Sequence, residues 1–110
     1  TPAARAHLRS ALEEVDCATT ETFRPKDARF HIAVAELSGS PRLVAAVADV
    51  RAQASDLLDR IPLLQANLDH SQAQHRELTE AILRGDADAA SAAALAHLEG
   101  TERLLRGFLA

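Results

Sequence analysis

The sequence predicts an all-α chain, folded as an antiparallel bundle of about five helices. Three observations carry that expectation. Twenty-four of the 110 residues are alanine, the best helix former. Phe23, Phe30 and Phe108 are the only aromatics, with no Trp or Tyr, whereas a sheet draws on aromatic and β-branched side chains. Apolar residues recur at helical spacing between Pro and Gly punctuation, with no internal repeat, low-complexity tract or long linker.

The elements follow in order. Thr1-Pro2 is a helix start, because Thr caps and Pro at the first helical position loses no needed N–H. Leu8, Leu12 and Val15 then carry a first helix from about Pro2 to Thr22. Phe23-Arg24-Pro25 interrupts it, since the residue before Pro is pushed out of the α region. A second helix, about Lys26 to Leu37, bears Phe30, Ala33, Val34 and Leu37 on one stripe. Ser38-Gly39-Ser40-Pro41 is turn chemistry ending in a Ser cap and a first-turn Pro. The third helix is expected to reach about Arg60 and to bury Leu43, Val44, Val47, Val50, Leu57 and Leu58. Ile61-Pro62 ends it, and Leu63 to His70, without a clean period, reads as a loop or a short helical turn. The fourth helix is expected from Ser71 to Arg84, with Leu78, Ile82 and Leu83 as its apolar set. Gly85 suits a left-handed helix end and Asp86 the next cap, so a tight connection leads to a fifth helix from Ala87 to about Leu109.

Composition narrows the function classes. With 47% hydrophobic and 25% charged residues, residues 1–110 fit one globular domain. Twelve Lys plus Arg against sixteen Asp plus Glu, a net charge of -4, exclude an evenly spread basic footprint for nucleic acid or anionic membrane. The lone Cys17 allows no internal disulfide, fits a reducing cytoplasm, and reads as a small apolar filler in the first helix. No stretch has the length or pattern of a membrane span or signal peptide. Met is missing, at position 1 included, which predicts an N-terminally truncated fragment.

Chemistry is carried by polar residues on faces expected to be buried, since such groups are costly unless paired or ligated. At about 100° per residue, Asp27 and His31 lie about 40° apart and Val34 about 20° from Asp27, so both point inward. Their i, i+4 spacing sets a carboxylate and an imidazole one turn apart, where one helix can offer both to one metal ion. His75 lies about 20° from Ile82, and His97 about 20° from Ala90, Leu104 and Phe108, within an alanine-rich stripe. Three imidazoles and one carboxylate make an N3O set that leaves positions open on a Zn²⁺, Ni²⁺, Mn²⁺ or Fe²⁺ ion for water or an anionic ligand. A single inward His is more often a hydrogen-bonded core residue than a ligand, so it is the joint pattern that points to metal. His7 and His70 lie in mixed or unperiodic surroundings and are not chosen. Arg51 lies about 20° from Val44 and Leu58, on a core stripe. It can hold an acidic ligand by two hydrogen bonds, pair with a structural carboxylate, or lay its stem on apolar surface. The remaining Arg and Glu residues of the later helices, among them Arg76, Glu77, Glu80 and Arg103, read as solvated-face charges. No phosphate-binding glycine loop, nucleophile elbow or paired-cysteine zinc motif occurs.

The order of these residues resembles a known family, the C-terminal ligand-sensing FCD domain of GntR-family (FadR subfamily) bacterial transcription regulators, over about residues 20 to 109. Asp27-Ala28-Arg29-Phe30-His31 is similar to its D-x-x-F-H, and Ser38-Gly39-Ser40-Pro41-Arg42-Leu43 to its S-G-N-P-x-L, with Ser40 for Asn. Gln74-His75-Arg76 resembles its E-H-x segment, with Gln for Glu; Ala81-Ile82, Gly85-Asp86, Ala89-Ala90 and His97-Leu98 follow in the same order. The resemblance implies a helical bundle in which Asp27, His31, His75 and His97 hold a divalent metal such as zinc, with a small organic acid bound beside it. It also implies a homodimer, and a winged helix-turn-helix domain, outside this fragment together with the first sensor helix, that binds operator DNA.

Three functions follow as expectations. In the first, an organic acid binds the metal and Arg51, shifts the helices and biases the DNA-binding state of the dimer; the chain is then no enzyme. In the second, a helical-bundle enzyme uses metal-activated water, but Glu36, Glu77 and Glu80 fall on outer faces and no inward base is left over. In the third, the chain is a structural interaction module with hydrogen-bonded core histidines.

Overall fold

Thr1 opens the chain as a helix cap: its hydroxyl oxygen accepts the Ala4 N–H at 3.1 Å, and Pro2 takes the first helical position. The computed structural model describes residues 1–109, and these form α1 (Pro2–Asp16), α2 (Phe23–Glu36), α3 (Pro41–Leu58), α4 (Gln65–Leu83) and α5 (Ala87–Leu109). The chain is all-α, and no strand occurs among the described residues. No described helix is long and apolar enough to cross a membrane. The residues divide into two units, Thr1–Arg60 and Ile61 onward.

In the first unit α1 packs on α2 and α2 on α3. Helix α1 stops at Asp16, six residues short of the expected end. Beyond it the hydroxyls of Thr19 and Thr22 each accept the other residue's backbone N–H, at 3.3 and 3.0 Å, which offers the chain a closed turn in place of the helix. Cys17, expected as an apolar filler, is exposed at this end. Helix α2 begins three residues earlier than expected, at Phe23, because Pro25 falls in its first turn, where the missing N–H had no partner to lose. Its Phe23, Phe30, Ala33 and Ala35 join Leu8, Ala11 and Val15 of α1 as buried apolar residues, and Phe30, Leu8 and Val15 are wholly enclosed. Burying a side chain of Phe30's size is worth about 1.5 to 3 kcal/mol.

The turn into α3 is built as its residues demand. Gly39 takes φ +71°, the left-handed region open to glycine, and Ser40 Oγ accepts the Leu43 N–H at 3.2 Å ahead of Pro41. Helix α3 ends at Leu58, and its burial departs from expectation: Arg51 and Leu58 are buried, while Leu43, Val50 and Leu57 are 45%, 61% and 39% exposed. Arg51 and Leu58 share a stripe of seven-residue spacing, and Leu43, Val50 and Leu57 form the parallel stripe about 100° around the helix. Apolar periodicity alone gives no way to choose between two such stripes.

In the second unit α4 packs on α5. Helix α4 starts at Gln65, inside the segment expected to be a loop or a short helical turn, and Gln65 Nε2 donates to Asp69 Oδ1 one turn on at 2.9 Å. Its inward face reads Leu68, Gln72, His75, Leu78 and Thr79, so polar side chains stand where an apolar period would have announced the helix. Its end is a complete Schellman turn: Gly85 at φ +77°, the Gly85 N–H on Ile82 O and the Asp86 N–H on Ala81 O, each at 3.0 Å. Asp86 Oδ1 then accepts the Ala89 N–H at 3.0 Å and starts α5, which runs over the expected residues. Phe108, placed by periodicity on the inner stripe, is exposed.

Candidate functional site

Each unit brings together a pair of potential donor atoms. In the first, the one-turn spacing on α2 brings Asp27 Oδ1 and His31 Nε2 to 3.4 Å, with Asp27 buried and His31 half-buried. The His31 ring stands edge-on to Phe30, with centroids 5.5 Å apart, so the enclosed phenyl ring helps to hold the imidazole. From α3, Arg51 Nη2 donates to Asp27 Oδ2 at 2.6 Å, a short charge-assisted bond between buried groups. The Asp27 carboxylate thus turns one oxygen to Arg51 and the other to His31. Arg51 Nε remains buried without a hydrogen-bond acceptor among the described residues. Nearby, Arg24 Nη2 donates to the Leu58 carbonyl at 3.4 Å; burial lowers its pKa from the ordinary value, and the charges of Asp27 and Asp59 oppose that shift.

In the second unit α4 and α5 bring His75 Nε2 and His97 Nε2 to 3.2 Å, with ring centroids 4.7 Å apart and both residues buried. On its other edge His97 Nδ1 meets Gln74 Oε1 at 2.7 Å. Thr79, one turn beyond His75, is 1% exposed and its hydroxyl has no hydrogen-bond partner among the described residues. Gln72, one turn before His75, is buried on the same face.

The donor chemistry of both pairs fits a metal ion. Two nitrogens at about 2.05 Å from one tetrahedral ion stand about 3.3 Å apart. His75 and His97 at 3.2 Å, and Asp27 and His31 at 3.4 Å, already stand at that separation. A neutral imidazole pair and an aspartate suit borderline ions of the zinc and nickel type.

The structure thus joins Asp27, His31 and Arg51 in one unit, and His75 and His97 in the other. His7 and His70 are exposed. His7 Nε2 stands 3.9 Å from Glu36 Oε1 at the surface. Sequence reasoning passed over Thr79 and Gln72 as site residues, although both lie on the face of His75, at i+4 and i−3. Gln74 was visible only as a neighbour of His75, because its role depends on reaching a different helix.

No curated protein and no solved structure matches the chain. The family model described as FCD domain matches residues 1–100, which takes in all of α1 as well as the segment bearing the resembling motifs. The chain belongs to the FCD domain family, the C-terminal domain of GntR-family regulators.

Proposed function

We propose that this chain is the effector-sensing domain of a GntR-family transcription regulator, a metal-dependent sensor whose ligands to a divalent ion are Asp27 and His31 in the first unit and His75 and His97 in the second. The observation that carries the reading is the presence of two donor pairs, buried except for the half-buried His31, each already at the spacing of atoms that share an ion. The family match running across both units supports treating them as one domain. Bound there, the ion supplies an electrophilic anchor for the oxygen of a small organic acid.

The chain's own residues do the rest. Asp27 contributes one negative charge, which Arg51 balances, so the histidines, the ion and Arg51 together leave the site cationic toward a ligand. A dicarboxylate, hydroxy acid or sugar acid answers that balance. Arg51 still has a buried Nε–H to give, and the Thr79 hydroxyl is buried and uncommitted, so each has hydrogen-bonding capacity that a polar ligand can use. Ligand binding acts on DNA through differential affinity for two helix arrangements, in a cytoplasmic homodimer whose operator contacts lie in a winged helix-turn-helix domain outside this sequence.

A structural reading draws on the same distances, since Gln74, His97 and His75 make a continuous hydrogen-bonded row and Arg51 satisfies Asp27. Metal content separates the two. Protein purified without a metal-affinity column is expected to carry about one equivalent of metal per chain by mass spectrometry, lost in His97→Ala, and to gain thermal stability from an organic acid only while the metal is present. Metal-free protein indifferent to chelator and acids overturns the sensor reading.

A further inference from the structure

Gln74 stands one residue from His75 on α4 and therefore about 100° around the helix from it. Its side chain lies across α5 at Gly100, where its Nε2 is 3.8 Å from the position a Cβ would take, and its Oε1 reaches His97 Nδ1 at 2.7 Å. An amide oxygen only accepts, so His97 Nδ1 must be the nitrogen that donates. A neutral imidazole carries one N–H, and with it on Nδ1 the Nε2 atom presents its lone pair. That lone pair points to the side where His75 Nε2 stands 3.2 Å away.

We propose that Gln74 is a positioning residue: its amide oxygen fixes His97 as the Nδ1–H tautomer and so makes Nε2 the metal-binding atom. This rests on the metal reading given under Proposed function. Without the acceptor, His97 is free to carry its proton on Nε2, where it blocks the ion. In the metal-free protein the His97 lone pair accepts the Nε2–H of His75, so binding an ion there requires His75 to carry its single proton on Nδ1 instead. A neutral amide orients the imidazole but adds no charge to it, whereas a carboxylate at the same place makes the ligand a stronger donor. Gln74 therefore orients His97 without strengthening it as a donor in the way a glutamate in its place would.

The test compares wild-type protein, Q74L and Q74E by two readouts. Histidine ¹⁵N spectra of the metal-free proteins report which His97 nitrogen is protonated, and Co²⁺ titration against a chromophoric chelator reports affinity. Wild-type His97 is expected in the Nδ1–H form and Q74L in a mixture or the opposite form. Q74L is expected to bind Co²⁺ about 10- to 100-fold more weakly, and Q74E at least as tightly as wild type. If Q74L does not fold, Q74N, whose amide is one carbon short of His97, is read in the same way. Retention of the Nδ1–H form in Q74L, or affinity unchanged from wild type, overturns the role of Gln74 while the metal reading stands. Wild-type protein that takes up no Co²⁺ overturns the metal reading and this role with it, whatever tautomer the spectra report.

Discussion

The two units solve the problem of an interior in opposite ways. Residues 1–60 bury Leu8, Val15, Phe23 and Phe30 with small alanines, and the polar groups they enclose, Asp27 and Arg51, neutralise each other at 2.6 Å. From Ile61 onward the buried set contains Gln72, His75, Thr79 and His97 beside Ile61, Leu68, Leu78, Ala81 and Ala93. Apolar area is the main source of folding free energy, whereas a satisfied hydrogen bond adds only about 0.5 to 1.5 kcal/mol net and an unsatisfied buried polar group costs stability. The first unit is therefore built to stand by packing, and the second has surrendered packing to imidazoles, an amide and a hydroxyl. Polar side chains held at that cost are what the proposed sensor role asks of the second unit.

The contrast can be broken from the side of the first unit. Phe30→Ala removes its largest fully enclosed side chain and should destabilise it by about 4 kcal/mol; urea unfolding measures this, with loss concentrated in α1 to α3 by hydrogen exchange. Arg51→Met, read in chelator-treated protein, should cost about 3 kcal/mol, because the buried Asp27 carboxylate loses the cation that faces its Oδ2. Adding Asp27→Asn should recover most of that loss. A double variant as weak as the single one would mean that Arg51 contributes packing rather than charge.

Metal removal sharpens the contrast from the other side. An ion present at a hundredfold excess over its Kd stabilises the folded state by about 2.7 kcal/mol. Chelation should thus lower the melting temperature and quicken hydrogen exchange in α4 and α5 more than in α1 and α2, whose apolar core does not depend on the ion. Equal loosening of both units would show that the polar interior of the second is self-sufficient.

The same contrast explains what could be read from the sequence. The start of α1, the whole of α5 and both glycine turns were legible, because caps and Gly act locally. The break between α1 and α2 was misplaced: α1 ends at Asp16 and Pro25 lies inside α2. Helix α4 was half-read: the face beginning Leu68, Gln72, His75 carries buried polar residues, and these erase its apolar period. Helix α3 showed the converse fault, since Leu43, Val50 and Leu57 are as apolar as a buried stripe and are exposed. Asp27 and His31 could be paired from spacing alone because they share a helix. The Arg51 to Asp27 bond and the Gln74 to His97 bond could not, for each joins residues that only tertiary packing brings together.

The smallest expected effect has the opposite sign. Thr79→Val replaces a buried hydroxyl, unpartnered among the described residues, by a methyl group of nearly the same shape. A desolvated hydroxyl without a partner is a liability to the fold. The variant should therefore be more stable than wild type by about 1 kcal/mol in thermal or urea unfolding. If the hydroxyl is kept for a ligand, the same substitution should weaken the response to the stabilising organic acid while leaving Co²⁺ affinity unchanged, since valine removes no metal donor. Destabilisation by Thr79→Val would instead show that the hydroxyl is satisfied within the fold, and the interior of the second unit would then be polar for structural reasons.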